Sequence, residues 1–129
     1  MTRIITFGTY DIFHVGHLRL LDRARAMGDH LTVGVSTDEL NESKKGRRPI
    51  YSFAERCEIL RGLRIVDEIF PEESLEKKRD YLVEHRADIL VMGDDWEGRF
   101  DDLADTCEVR YLPRTPAVST TAVIEKIRA

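Results

Sequence analysis

The sequence predicts an α/β fold in which a doubly wound sheet of five parallel strands has helices on both faces. Five short apolar runs alternate along the chain with segments of helical hydrophobic spacing, as in sheets whose parallel strands are joined by helices. The chain has 129 residues, a length that suits one hydrophobic core. We therefore expect a single Rossmann-like domain over residues 1–129, with ligands bound beyond the carboxyl ends of the strands.

The first strand and the first helix follow from the pattern near the N-terminus. Ile4–Phe7 is a short β-rich run and predicts a strand. Leu18, Leu21 and Ala24 then recur at helical spacing before Gly28, a residue that is typical of a helix end.

The middle of the chain contains two further strands and one clear helix start. Leu31–Val35 predicts the second strand, whereas Asn41–Ile50 is polar and basic and contains glycine and proline, which indicates a mobile surface loop. Ser52 and Glu55 form the capping-box pattern that begins a helix. Ile65–Phe70 predicts the third strand, which the following proline is expected to end.

The last part of the chain contributes two helices and two strands. Leu75–Leu82 has helical spacing with a charged outer face, and Ile89–Met92 and Val109–Leu112 predict the fourth and fifth strands. A final helix is expected to begin with Ser119 or Thr120 as its cap.

Composition and charge exclude several classes of protein. A hydrophobic fraction of 42% argues against disorder, and a net charge of -4 argues against a protein that coats nucleic acid. We expect no membrane partner, because no apolar stretch approaches the roughly 18 residues of a membrane span and the N-terminal run is too short for a signal peptide. Cys57 and Cys107 fit neither a disulfide framework nor a zinc spacing, so we expect reduced thiols in a cytoplasmic protein.

The loop after the first strand places two histidines at the start of a helix. His14 and His17 flank Gly16, which allows a ligand to approach the backbone closely. Free N–H groups at the helix start and imidazole donors both suit a phosphate. Two alternatives stay open: the histidines only cap and pack the helix, or they bind a metal together with Asp11.

The loop after the fifth strand has a similar chemical character. Arg114 precedes three hydroxyl residues, Ser119, Thr120 and Thr121, at another helix start. An ordinary cap beside a solvated arginine is the alternative interpretation. Two phosphate-suited helix starts, at the first and last turns of one domain, favour a polyphosphate site.

The basic run Lys44, Lys45, Arg47 and Arg48 is either a solvated surface or a lid over that polyphosphate. The loop Gly93–Gly98 after the fourth strand carries several carboxylates. One of them could accept a hydrogen bond from an amino-bearing base such as cytosine, or the loop could be a plain acidic turn on which the tryptophan packs.

Four segments together resemble the cytidylyltransferase family. His14–His17 after a strand resembles the HxGH signature of nucleotidyltransferases, and residues 114–121 are similar to the family segment RTEGISTS or RTEGISTT. Arg64–Ile69 is similar to the family segment RYVDEVI. Met92–Gly98 is most similar to the corresponding segment of members that act on glycerol 3-phosphate and form CDP-glycerol for teichoic-acid-type polymers. The similarity spans nearly the whole chain.

The resemblance implies roles for individual residues. Catalysis is implied for His14, His17, Lys45 and Arg114. Binding of the CTP phosphates or of the cytidine is implied for a larger set, namely Thr9, Tyr10, Asp11, Gly16, Arg56, Asp95, Ser119, Thr120 and Thr121. Lys44 and Lys78 are the implied contacts of the incoming glycerol phosphate, with Lys44 or Lys45 bridging both substrates.

The implied activity is transfer of CMP from CTP to glycerol 3-phosphate, with Mg²⁺ carried on the triphosphate rather than by a dedicated metal site. The resemblance also implies a homodimer that pairs through Arg64–Asp67. Pro116–Val118 replaces the family's Glu-Gly-Ile, which predicts a stiffer loop. Two alternatives remain: a cytidylyltransferase for phosphoethanolamine or another polyol phosphate, and a non-catalytic nucleotide-binding module.

Overall fold

The computed structural model describes residues 1–114 and 119–129, so the expectations placed on Thr115 and on Pro116–Val118 lie outside the described residues. The strands are β1 (Arg3–Gly8), β2 (His30–Ser36), β3 (Glu68–Glu72), β4 (Ile89–Gly93) and β5 (Glu108–Leu112). The helices are α1 (Val15–Arg25), α2 (Asp38–Lys45), α3 (Phe53–Arg61), α4 (Lys78–Glu84) and α5 (Thr120–Arg128). Two short 3-10 helices lie at Asp94–Trp96 and Asp101–Asp105.

The five strands form one parallel sheet in the order β3-β2-β1-β4-β5. The chain builds outward from β1 to β2 and β3, and then returns to the other side of β1 with β4 and β5. The strand order therefore reverses between β1 and β4, where such sheets open a crevice at their carboxyl ends. The predicted α/β, doubly wound five-stranded sheet is confirmed.

Hydrophobic side chains of alternating strand positions fill two core layers, one on each face of the sheet. Leu21 and Ala24 of α1 and Leu60 of α3 pack on one face. Tyr81 and Leu82 of α4 pack on the other face, where the second 3-10 helix also contributes to the core. Helices thus cover both faces, as expected. Among the helices that the structure describes, none is long and apolar enough to cross a membrane.

Helix α2 corrects one expectation. The sequence predicts a mobile loop over Asn41–Ile50, but the first half of this segment is helical. Thr37 caps the helix by accepting the Leu40 N–H at 3.1 Å, and Gly46 ends it with a φ of 75°. Acidic residues in the first turn and basic residues in the last turn both interact favourably with the helix dipole. The hydrophobic pattern hides this helix because few of its residues are apolar.

Strand β3 also differs from expectation. It begins three residues later than Ile65 and continues through Pro71, the residue predicted to end it. Because β3 lies at the edge of the sheet and pairs with one strand only, it tolerates a proline, which has no N–H to donate. The strand therefore continues to Glu72, whose carbonyl accepts the Thr37 N–H at 3.1 Å.

Gly34 in β2 provides a test of how tightly the sheet packs. A Cβ at this position would lie 2.5 Å from the ring of Phe7 and 2.8 Å from that of Phe70. We predict that Gly34→Ala lowers the free energy of unfolding by about 1–3 kcal/mol in urea denaturation, because both rings must move. Gly62→Ala is the matched control, since its Cβ would meet only a backbone oxygen at 3.3 Å, and we expect a change within about 0.5 kcal/mol. Equal effects of the two substitutions would contradict the packing described.

Candidate active site

A cleft of about 780 Å³ opens at the carboxyl ends of the strands, where the loops after β1, β4 and β5 meet α2 and α5. All but one of the predicted site residues line it, namely Thr9, Tyr10, Asp11, His14, Gly16, His17, Lys44, Lys45, Lys78, Asp95, Arg114, Ser119, Thr120 and Thr121. Arg56 is the exception, because its side chain lies fully buried behind the cleft wall.

The cleft is basic although the chain is acidic. Its lining contains eight lysines and arginines but only four aspartates and glutamates among the described residues, whereas the whole chain has a net charge of -4. Because the charges surround a concave surface, their potentials add within it and attract an anionic ligand. The chemistry of the lining suits a polyphosphate.

Two histidines cap helix α1 in a reciprocal arrangement. His14 is the N-cap, and its Nδ1 accepts the N–H of Gly16 at 3.1 Å. The Nδ1 of His17 accepts the N–H of His14 at 3.3 Å. The two rings stack with their centroids 3.8 Å apart. Capping uses only the Nδ1 atom of each ring. The Nε2 atoms are not needed for the cap, so capping is compatible with the expected binding of a ligand.

This capping sets the protonation of both rings. Because each Nδ1 accepts a hydrogen bond, each neutral imidazole carries its proton on Nε2. Burial lowers the pKa of His14, and burial together with the neighbouring His14 lowers the pKa of His17 to about 4, against the opposing charge of Asp11. The Nε2 atom of His14 is buried and has no hydrogen-bond partner in the described residues. Each ring therefore keeps one neutral N–H donor that the capping does not use, and both residues line the cleft.

The start of helix α5 faces the same cleft. Ser119 caps it by accepting the Ala122 N–H at 3.0 Å, as the sequence predicts. The Thr120 hydroxyl donates to the Asp11 carbonyl at 3.1 Å, which joins the start of α5 to the loop after β1. The two helix starts thereby border one ligand space. Arg114 is mostly exposed and lies with its Nε 3.6 Å from Asp94 Oδ1.

The loop after β1 is held in an unusual backbone conformation. Tyr10 and Ile12 have φ angles of 56° and 46°, which cost free energy in residues with a side chain. The Asp11 carboxylate accepts three backbone N–H groups, those of Ile12 at 3.1 Å and of Ile50 and Tyr51 at 2.8 Å each. These bonds hold the loop against the segment before α3. The phosphate contacts implied for Tyr10 and Asp11 stay predictions, and the structure adds this holding role for Asp11.

Arg56 joins four segments behind the cleft. Its side chain is fully buried and donates to the carbonyls of Tyr51 at 3.1 Å and of Thr9 and Ser36 at 2.8 Å each. Its Nη2 also donates to Asp38 at 2.8 Å, at the start of α2. The resemblance implies that Arg56 lies near the cytidine or orients its pocket, and the structure places it as a link between the loops that form the cleft.

Asp38 is not indicated as important by the sequence pattern. Desolvation raises its pKa, but the hydrogen bonds from Arg56 and from the Phe53 N–H, with the charges of Arg56 and Arg48, together lower the pKa below its ordinary value. The carboxylate is therefore ionised and complements the buried guanidinium.

Lys78 lines the cleft, and the contact with the glycerol phosphate that the resemblance implies stays a prediction. Its Nζ stands 2.9 Å from Glu72 Oε2 and lies over the rings of Phe7 and Phe100, at 4.1 and 4.8 Å from their centroids. Desolvation lowers its pKa, while Glu72 opposes the shift. Like Asp38, Glu72 is a candidate residue that the sequence analysis missed. The proline before it suggests that the strand has already ended. Lys44 and Asp95 also line the cleft.

Comparisons with known proteins agree with this geometry. The sequence profile of the cytidylyltransferase-like family matches residues 5–126. The chain belongs to the cytidylyltransferase-like family. It is 49% identical to a glycerol-3-phosphate cytidylyltransferase of Bacillus subtilis (strain 168) over 98% of each chain. It is 46% identical to a glycerol-3-phosphate cytidylyltransferase of Staphylococcus aureus (strain NCTC 8325 / PS 47) over 98% of this chain and 96% of that one.

The fold is shared more widely than the sequence. The structure resembles the crystal structure of a lipopolysaccharide core biosynthesis protein from Thermoplasma volcanium with a TM-score of 0.75, covering 89% of this chain and 98% of that one at 23% identity. The part matched by the cytidylyltransferase-like family includes every predicted site residue.

A metal site at the histidines is the other interpretation of this loop. In residues 1–114 and 119–129 no group of three or more histidine, cysteine, aspartate and glutamate side chains is arranged to hold a metal ion. The Asp11 carboxylate is engaged by backbone N–H groups, and both histidine Nδ1 atoms are used in capping. Asp11 and both Nδ1 atoms are thus already engaged, and phosphate binding at the start of α1 stays a prediction for this cytidylyltransferase-like chain.

The neutral state of His17 can be tested by NMR of the ligand-free protein. We predict that its imidazole titrates near pH 4 and shows the Nε2–H tautomer above that value. The unfolded chain takes up this proton near the ordinary histidine pKa of 6.5, so stability should rise as pH increases from about 4 to about 6.5 and then level off. His17→Gln should remove that part of the slope. Titration of His17 near pH 6.5 in the folded protein would contradict the capped, neutral ring.

The linking role of Arg56 predicts a large loss of stability on substitution. Arg56→Met leaves Asp38 and three carbonyls without their buried partner, so we expect urea denaturation to show a loss of about 3–5 kcal/mol. Arg61→Met, on the exposed side of the same helix, should change stability by less than about 0.5 kcal/mol. A small effect of Arg56→Met would show that the cleft loops hold together without it.

Proposed function

We propose that this protein transfers CMP from CTP to the phosphate of glycerol 3-phosphate, forming CDP-glycerol and pyrophosphate for a teichoic-acid-type or related surface polymer. The observation that carries the proposal is the pair of neutral, stacked imidazoles at the start of α1, which cap through Nδ1 and keep Nε2–H for a ligand. The names of the two close relatives support the choice of both substrates.

In the proposed reaction an oxygen of the glycerol 3-phosphate attacks the α-phosphorus of CTP in line, and the bond to the β-phosphate oxygen breaks as pyrophosphate leaves. No covalent enzyme intermediate is needed, because positioning and charge stabilisation suffice for this chemistry. His14 and His17 donate from Nε2 to the phosphate oxygens on which charge develops. The starts of α1 and α5 and Arg114 bind the other phosphates.

Mg²⁺ is part of the proposal as a partner of CTP. In the proposal this ion is held mainly by phosphate oxygens and water. When bound, such an ion neutralises charge on the triphosphate. Lys45 on the basic rim of the cleft supplies further positive charge between the two substrates. Asp95 is proposed to accept a hydrogen bond from the amino group of cytosine.

The proposal also includes a homodimer and a cytoplasmic location. Arg64 is exposed, whereas Asp67 already accepts the Leu31 N–H at 2.8 Å and lies 3.2 Å from Arg25 within the same chain. Arg64 is thus the member of the implied pairing segment that is available to a second copy. Cys57 and Cys107 are both free and buried, in keeping with a reducing compartment.

Pyrophosphate release distinguishes the proposed enzyme from the alternatives. The purified protein is mixed with CTP, Mg²⁺ and one acceptor at a time: glycerol 3-phosphate, a longer polyol phosphate, or phosphoethanolamine. We expect the highest kcat/KM with glycerol 3-phosphate. A higher kcat/KM with another acceptor would make that compound the proposed substrate in place of glycerol 3-phosphate. Tight CTP binding without pyrophosphate release in the presence of any acceptor would establish a non-catalytic binding module instead.

The role of the histidines predicts large effects on turnover. His14→Ala and His17→Ala should each lower kcat by about 10²–10³ fold, because each removes a donor to the transition state. His85→Ala is the control, since this histidine lies away from the cleft and should leave kcat unchanged. Near-full activity of either alanine variant would refute the assigned role.

A further inference from the structure

Glu72 is a buried acidic side chain within a basic cleft. Only 2% of the residue is exposed, yet it is among the residues that line the cleft. Its backbone is fixed, because it ends β3 opposite Ser36 and its carbonyl accepts the N–H of Thr37, the cap of α2. The carboxylate therefore has a defined position at the cleft.

The hydrogen bonding of this carboxylate is incomplete. Lys78 Nζ forms an ion pair with the buried Oε2 at 2.9 Å, and no other described residue donates a hydrogen bond to this carboxylate. The ammonium of Lys78 also contacts the faces of Phe7 and Phe100. A carboxylate has about four lone-pair sites, so one ammonium leaves sites that a ligand with O–H groups could satisfy.

The charges around Glu72 indicate which part of an acceptor it faces. A phosphate would be repelled by the carboxylate but attracted by Lys44 and Lys78, whose charges face the same region. An ammonium group would be repelled by the two lysines and gain little from a carboxylate that Lys78 already neutralises. An uncharged alcohol avoids both penalties and donates a hydrogen bond.

We propose that Glu72 determines acceptor specificity by accepting hydrogen bonds from the free hydroxyls of the glycerol moiety, while Lys78 and Lys44 hold its phosphate. The inference rests on the proposed function and adds to it the residue that recognises the polyol end. Glu72 then makes the protein favour phosphorylated polyols over phosphorylated alcohols that carry hydrogen or an ammonium group where glycerol has its free hydroxyls.

The test compares acceptors that differ only in their hydroxyls. The wild-type protein and Glu72→Gln, which keeps the shape of the side chain but removes its charge, are assayed with glycerol 3-phosphate and with propyl phosphate. Glu73→Gln is the matched control, because this neighbour is exposed and does not line the cleft. Glu72→Asp, which keeps the charge but shortens the side chain, is the second variant.

We expect wild type and Glu73→Gln to favour glycerol 3-phosphate over propyl phosphate by about 10- to 100-fold in kcat/KM, as for a hydrogen bond to a charged group. Glu72→Gln and Glu72→Asp should shrink that ratio several-fold, mainly through the KM of glycerol 3-phosphate. If Glu72 only positions Lys78, both acceptors lose activity by the same factor and the ratio is unchanged, which overturns the inference.

Two further outcomes separate this inference from the function on which it rests. Absence of pyrophosphate release by the wild-type protein with glycerol 3-phosphate would remove the proposed function and the inference together. If wild type is active but shows no preference between the two acceptors, the inference alone fails. That result needs no folded variant.

Discussion

The buried guanidinium of Arg56 is the interaction on which the cleft depends. It lies on α3 and donates to the loop after β1, to the end of β2, to the segment before α3 and to the first residue of α2. A planar group with donors on all sides can satisfy four acceptors at once, which a lysine cannot. The loop that carries the histidines and helix α2, whose last turn is basic, are therefore held in one arrangement.

The histidines show how local helix chemistry prepares an electrostatic site. A cap made by serine or aspartate would satisfy the same N–H groups but would leave no second donor. Imidazole caps with Nδ1 and leaves its Nε2–H outside the capping arrangement, where we propose that it donates to the ligand, and the same burial that lowers the pKa of His17 keeps that donor neutral. Stacking of two charged rings at 3.8 Å would be unfavourable, so the close pair also depends on neutrality.

Much of the fold could be predicted from local sequence because local chemistry determines it. The capping box of Ser52 and Glu55 and the cap at Ser119 occur where the sequence places them. Helix α2 escaped prediction because its stability comes from caps and charges rather than from an apolar face. The burial of Arg56 and the position of Glu72 depend on which segments meet in space, and no spacing along the chain shows that. The HxGH resemblance identified the two histidines, but it does not explain why both carry their proton on Nε2, since that depends on the capping contacts in the folded chain.

The cleft combines cations from several elements with one buried acid at the edge of the sheet. Lys44 and Lys45 end α2, Lys78 begins α4 and Arg114 follows β5, while the starts of α1 and α5 border the same space. The acid Glu72 lies at the far edge strand β3, two strands away from β1, beside cations that compensate it. If Glu72 accepts hydrogen bonds from the hydroxyls of the acceptor, as we propose, the phosphate end of the acceptor must point away from Glu72 and into the rest of the cleft. The residue that selects the acceptor would then also orient its attacking oxygen.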